Sequence, residues 1–253
     1  MSDSVYNGFL AKVYDYSPYF GKDRKEIVDF YLDALNKDVG VVLELGTATG
    51  LTTIPLAKAG YNIDTIDCSL AMHKIVERKI MEMDFMLKKN IQLIFADVSD
   101  YKPERKYDVV IMPDSFLLVF LEKFKQKRIL RMCYEALEGN GILLFDCFKP
   151  PDPSMKKDQY IETTRFRTPD KDVYILEVCH EIHRESQMHI CHFKYQKRLE
   201  NNTLDDAVEV SVSYRYLHYY EMMEMLADVG FSNIKINESF DELQCFAYAR
   251  KRI

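Results

Sequence analysis

Apolar residues along the chain switch between two periods, and the switching sets the fold class. Ile27, Phe30, Tyr31 and Leu35 recur at helical spacing and predict a helix over about 24–35, broken by Asn36-Lys37-Asp38. Val41-Val42-Leu43-Glu44-Leu45 is a mostly apolar strand that runs straight into Gly46. A helix over about 51–59 ends at Gly60, a fitting C-terminal cap. A strand follows near 63–66, then one long helix over about 70–88. Strand-like runs recur at 91–96 and 107–112, a helix spans about 122–137 before Gly139-Asn140-Gly141, and another strand covers 142–147. Such alternation predicts parallel strands joined by helical crossovers. The near-continuous apolar strands fit a sheet covered on both faces.

At Lys149-Pro150-Pro151-Asp152-Pro153 this pattern breaks, because proline ends both helices and ladders. From about 160 to 214 the chain is β-rich, with runs at 173–183, 188–198 and 207–214 between polar turns, which predicts an antiparallel unit. Helix returns over about 220–228 and ends at Gly230, and two strands follow at 231–236 and 243–250. The expected organisation is a Rossmann-like α/β core, residues 1–149 and 215–253 with an N-terminal helical arm, interrupted by an antiparallel β cap over 150–214.

Composition narrows the class. Hydrophobic residues make up 47% of the 253, enough for a packed interior. Apolar runs such as 41–45 and 115–121 are too short to cross a bilayer. The start, Met1-Ser2-Asp3-Ser4, has no basic segment leading into an apolar stretch, so a cytoplasmic location is the expectation. A formal net charge of −6 disfavours nucleic acid as a partner, since phosphate-tracking proteins carry a basic surplus. Six scattered cysteines form no CxxC pair, so neither a zinc site nor a redox pair is assigned. His180, His183, His189 and His192 cluster in the β-rich part. In strands His180 and His183 face opposite sides, as do His189 and His192. They are expected to be solvated or pocket-lining, with a metal site across strands left open.

The informative residues sit at the carboxyl ends of the parallel strands, where open α/β sheets bind ligands. After the first strand, Gly46, Thr47, Ala48, Thr49 and Gly50 form a small-residue turn that lets backbone approach a ligand. Gly46-x-Ala48-x-Gly50 is not a dinucleotide fingerprint, since Leu51 stands where a further small residue would be needed, and no phosphate-loop lysine follows. The second strand ends in Asp67, whose carboxylate can accept from both ribose hydroxyls of a nucleoside. The third ends Ala96-Asp97-Val98, with Asp97 placed for an adenine amino group. Either aspartate can also be a plain helix cap.

Glu44-Leu45-Gly46-Thr47-Ala48-Thr49-Gly50 resembles motif I of the class I S-adenosylmethionine-dependent methyltransferases, E-x-G-x-G-x-G, with Ala48 in place of the middle glycine. Ile66-Asp67-Cys68-Ser69-Leu70-Ala71-Met72 resembles their second motif, Ala96-Asp97 the third, and Leu137–Asp146 the turn into strand five. The resemblance implies a seven-stranded, mostly parallel sheet with its last strand antiparallel. It implies S-adenosyl-L-methionine as cofactor, bound by Tyr19, Glu44, Gly46, Thr47, Ala48, Gly50, Asp67, Cys68, Met72, Ala96, Asp97, Val98 and Pro113.

A narrower similarity joins the chain to the small-molecule group that includes amino-sugar N,N-dimethyltransferases. Tyr14-Asp15-Tyr16-Ser17-Pro18-Tyr19-Phe20-Gly21-Lys22 is similar to their N-terminal segment, Phe145–Pro150 to their F-D-V-F-N-P, and Arg215–Glu221 to their R-Y-F-T-P-E-E. It implies that Tyr14 and Tyr19 lie over the methionine end of the cofactor. Tyr14, Asp114, Phe116 and Asp146 then face the acceptor, with Tyr14 and Asp114 as the catalytic pair. Arg215, which follows a strand, either joins them by clamping a carboxylate or phosphate or makes an ordinary surface salt bridge. At the fourth strand end those enzymes resemble N-S-F-x-H, where this chain has Asp114 and Leu118, which weakens an amino-sugar assignment.

The expected activity is methyl transfer to nitrogen or oxygen of a small molecule by in-line displacement, in a cytoplasmic protein with no membrane or nucleic-acid partner. Two alternatives stand beside it: a methyltransferase acting on a protein or RNA, and a non-catalytic cofactor-binding module. A homodimer is implied by the resemblance, and the sequence does not decide it.

Overall fold

A computed structural model describes residues 6, 8–21, 25–35, 39–155, 157–199, 201–237 and 244–252. The Met1–Ser4 start, Lys22, Arg24, the Asn36-Lys37-Asp38 break and Leu243 lie outside the described residues.

The core begins with α1 (Phe9–Val13) and α2 (Lys25–Ala34), then β1 (Val41–Leu45), α3 (Thr53–Lys58), β2 (Asn62–Asp67) and α4 (Leu70–Met81). Next come α5 (Phe85–Lys88), β3 (Ile91–Phe95), β4 (Tyr107–Met112), α6 (Lys123–Ala136) and β5 (Leu137–Phe148). The single helix expected over 70–88 is two. Asp84 starts a second one by accepting from the Met86 N–H at 2.8 Å. The strand expected at 142–147 is also longer: β5 starts at Leu137 and runs through Asn140, whose φ is 70°.

The cap is β6 (Gln159–Arg167), β7 (Val173–His183), β8 (Met188–Arg198) and β9 (Leu204–Arg215), antiparallel in that order. The chain then returns through α7 (Tyr219–Val229), β10 (Phe231–Asn237) and β11 (Gln244–Lys251). Gly230, at φ 115°, ends α7 in the left-handed conformation that glycine adopts without strain.

The core sheet runs β10-β11-β5-β4-β1-β2-β3, with β11 antiparallel to both neighbours. The order reverses between β1 and β4, and the cofactor turn sits at that switch point. Alternate residues feed two layers: Val42, Ile63, Val109, Ile111 and Leu144 pack with Ile27, Tyr31 and Leu56, while Leu43, Leu45, Val110, Met112 and Phe145 join the other side. Each fully buried side chain of this kind contributes about 2 kcal/mol relative to an exposed one.

The cap alternates as well. Tyr174, Leu176, Val178, His180 and Ile182 on β7 and His189, Cys191, Phe193 and Tyr195 on β8 are buried. Their partner is the N-terminal arm. Phe9 meets Tyr174 and Tyr195 edge-on at 5.8 and 5.2 Å, and Phe20 and Tyr19 meet Phe193 at 5.2 and 4.7 Å.

Arg215 makes the salt bridge that was one of its two expected roles. It is not part of the acceptor wall but latches the cap to the core. Its guanidinium donates to Gln126 Oε1 at 2.7 Å, Gln187 Oε1 at 2.9 Å and Glu221 Oε1 at 2.7 Å, and it is buried with Gln126 and Glu221. Gln126 in turn donates to the Arg215 carbonyl at 3.0 Å. Breaking one side of a buried pair strands the other charge. Arg215→Met is therefore expected to cost about 3 kcal/mol in urea unfolding at pH 7, with Arg215→Met/Glu221→Leu recovering part of the loss. A change below measurement error in the single variant would show that the latch carries no stability.

Candidate active site

Three left-handed residues make the turn after β1: Gly46 (φ 87°), Ala48 (φ 45°) and Gly50 (φ 83°). At Gly46 a Cβ would come within 2.5 Å of the Phe116 ring, so both conformation and space demand glycine. Ala48 occupies a region that costs an L-residue about 1–2 kcal/mol. Its N–H donates to Asp67 Oδ2 at 2.8 Å, which helps hold the bend. The Gly46 and Thr47 N–H groups both donate to the Ile66 carbonyl, at 2.9 and 3.1 Å, tying the turn to the end of β2.

Asp67 also accepts from the Ser69 N–H at 2.7 Å through Oδ1. A carboxylate has about four acceptor sites, more than the backbone uses here. Burial raises its pKa against those hydrogen bonds. Glu44 is buried on β1, and its Oε2 accepts from the hydroxyls of Thr53 and Thr65. Desolvation pushes its carboxyl up to about 7, well above its ordinary 4.5.

These residues line a cavity of about 790 Å³ together with Tyr14, Tyr19, Thr47, Cys68, Met72, Ala96, Val98, Pro113, Asp114 and Phe116. Four expected site residues are not in its wall. Asp97 folds back to accept from the Ser99 N–H at 2.8 Å, leaving Ala96 and Val98 to face the cavity. Gly50 packs under the turn, where a Cβ would meet Val76 at 2.6 Å. Arg215 serves the latch. Asp146, 0% exposed, works from behind.

Asp146 holds the loop after β4. Asp114 and Ser115 are both left-handed, at φ 63° and 57°, and a pair of such non-glycine residues stores strain. Asp146 Oδ1 accepts from the Asp114 N–H at 2.9 Å and the Tyr31 hydroxyl at 2.7 Å, and Oδ2 from the Ser115 N–H at 3.0 Å. The Ser115 hydroxyl accepts from the Phe148 N–H at 2.9 Å. The loop so fixed presents Asp114 to the cavity, where the Tyr14 hydroxyl donates to its Oδ2 at 2.8 Å. Tyr19, expected at the cofactor, reaches the cap: its hydroxyl lies 3.2 Å from Cys191 Sγ.

The cap adds wall residues that the sequence did not single out as ligand contacts: Tyr160, Glu162, His180, His189 and Tyr214. The signal was present in the period-2 alternation of β7 and β8, which turns His180 and His189 inward and His183 and His192 out. Burial lowers the pKa of both inward histidines, His189 to about 4, so both are neutral at pH 7. Tyr6 of the arm also lines the cavity. No helix among the described residues is long and apolar enough to cross a membrane.

Known proteins share this architecture. A methyltransferase domain model matches residues 42–141. The malonyl-[acyl-carrier protein] O-methyltransferase 1 of Ilyobacter polytropus is 27% identical over 54% of this chain and 48% of its own length. This chain thus spans about half the length of that relative. In structure, the CcbJ methyltransferase from Streptomyces caelestis superposes with a TM-score of 0.83 over 100% of both chains at 19% identity. CalS10, an amino pentose methyltransferase from Micromonospora echinaspora, gives 0.75 over 91% of this chain and 92% of its own at 12% identity. The domain match spans the cofactor turn, and the superpositions extend over nearly the whole chain: residues 42–141 match a methyltransferase domain, and the chain as a whole has the fold of these methyltransferase structures.

Proposed function

We propose that the chain moves the methyl group of S-adenosylmethionine onto nitrogen or oxygen of a small molecule held between the core sheet and the cap. One observation carries this: a single cavity of about 790 Å³ is walled both by the Gly46–Ala48 turn with Asp67 and by the inner face of the cap. That size suits small-molecule ligands. Six carboxylates, Glu26, Glu44, Asp67, Asp114, Asp152 and Glu162, line it against the single cation Lys149 among the described residues. Such a lining favours a sulfonium cofactor and an acceptor that carries an amine. The relatives named for malonyl-acyl-carrier-protein and amino pentose methylation support a small acceptor group. The acidic balance, net −6, argues against a nucleic-acid partner and accords with a cytoplasmic enzyme.

The cofactor supplies a carbon already activated by the positive sulfur, so the protein's task is alignment and exclusion of water. Asp67 and the turn hold the nucleoside. Tyr14 fixes one oxygen of Asp114, and the carboxylate is positioned to bind an ammonium or take the proton released by a hydroxyl or amine. Asp146 and Arg215 act through the loop and the latch, without touching either ligand.

Calorimetric titration with S-adenosylhomocysteine is expected to give micromolar affinity. Asp67→Ala, losing two charge-assisted hydrogen bonds, should weaken it about 100-fold. A flat titration with the intact protein would remove the proposal.

Glu44 generates a pH signature. Its folded pKa is raised from 4.5 to about 7, so the folded protein holds a proton that the unfolded chain releases. The stability this proton confers is full below pH 4.5 and is lost as pH rises through 7. Relative to Glu44→Gln, the wild type should lose about 3 kcal/mol between pH 5 and 8. A cationic ligand in the cavity favours the carboxylate. Titrations at pH 6.5 in buffers of different ionisation enthalpy should therefore show proton release on cofactor binding that Glu44→Gln abolishes. Identical heats in all buffers would count against Glu44 facing the bound cation.

A further inference from the structure

The cap carries a cluster that methyl transfer does not require. β8 places His189 and Cys191 two residues apart on one face, and the β7–β8 register sets His180 directly opposite Cys191. Both are consequences of a period-2 ladder. His180 Nδ1 and His189 Nε2 lie 2.9 Å apart, and Cys191 Sγ lies 3.5 and 3.6 Å from them. All three side chains are buried.

We propose that these three atoms, His180 Nδ1, His189 Nε2 and Cys191 Sγ, form a transition-metal site for a borderline-soft divalent ion such as zinc. Ordinary zinc–nitrogen and zinc–sulfur bond lengths at tetrahedral angles separate nitrogen from sulfur by about 3.6 Å and nitrogen from nitrogen by about 3.3 Å. The sulfur already stands at those distances, and the two rings need to part by a few tenths of an ångström. Two imidazoles and one thiolate are a donor set that zinc and cobalt take readily.

The surroundings fit a ligand cluster. The Tyr19 hydroxyl, 3.2 Å from Cys191 Sγ, is placed to donate to a thiolate. His180 uses Nδ1 toward the cluster, while its buried Nε2 makes no hydrogen bond and has the Glu162 carboxylate 3.7 Å away. A carboxylate behind a ligating histidine is the usual outer partner of a metal-bound imidazole. Tyr160 stacks on His180 at 4.3 Å and 8°, fixing the ring plane. Binding displaces the Cys191 thiol proton to solvent, and both histidines enter neutral.

Three protein ligands leave a fourth position, as in catalytic rather than structural zinc sites. His180 and His189 both wall the cavity, so that position is open to a donor atom of the bound small molecule. This last role rests on the proposed methyltransferase function; the metal site itself does not.

The test uses the full chain, stripped with a chelator, dialysed and titrated with cobalt(II) alone. One equivalent should bind, with a thiolate-to-cobalt charge-transfer band in the near ultraviolet and visible bands of tetrahedral intensity, and zinc should displace it. Cys191→Ser should lose the charge-transfer band. His180→Ala and His189→Ala should each lose stoichiometric binding. His192→Ala, on the outward face, should behave as wild type. S-adenosylhomocysteine titration of the stripped wild type and of each variant verifies folding and separates failure of this site from failure of the cofactor assignment. Absence of the charge-transfer band in the wild type, or its persistence in Cys191→Ser, would overturn the proposal. Unaltered cobalt binding when both histidines are replaced would do the same and leave a hydrogen-bonded histidine pair.

Discussion

Asp146 is the constraint on which the site depends. Its carboxylate, with no exposure, accepts from two consecutive backbone N–H groups and one tyrosine hydroxyl. Buried anions are tolerated only when so satisfied. Those bonds force Asp114 and Ser115 into the left-handed region, and the strained loop then aims Asp114 at Tyr14. Because Tyr31 comes from α2, the helix on the far layer of the sheet is tied to the loop at the cavity. Acceptor chemistry and core packing therefore share one carboxylate.

The same logic separates residues that touch ligands from those that hold them. Asp67 pins the Ala48 and Ser69 amides from within the cavity wall, where the proposed nucleoside contact falls to it. Asp146 and Arg215 lie outside the cavity wall and bond to protein groups. Glu44 lies between, buried and held by two threonines at the cavity wall, its pKa raised by desolvation.

Most of the fold was legible because periodicity reports burial directly. Six strands of the core and three of the cap fall where alternation or apolar runs placed them. What failed was local chemistry that competes with periodicity. Asp84 caps a new helix inside an apolar pattern that continues across it, and β5 extends back through a glycine-rich stretch that reads as a turn. At the site, the turn after β1, Asp67 and Asp114 were visible at strand ends, where the topology puts ligands. Asp97, Asp146 and Arg215 stand outside the cavity wall, which sequence could not foresee because it gives position and not the direction of a side chain. The wall residues of the cap required knowing which face of β7 and β8 turns inward, and that depended on what would cover it.

The arm decides that covering, and it joins the two sheets through side chains. None of its residues from 8 to 21 joins a strand. It is held by aromatic edges against the cap and by side-chain bonds from Tyr14, Asp15, Ser17 and Tyr19 to Asp114, Thr49, Tyr195 and Cys191. Leu10, Val13, Tyr14 and Phe20 are buried in the same cluster as Leu43 of the core sheet and Phe193 and Tyr195 of the cap, so the two sheets share one interior through this short peptide.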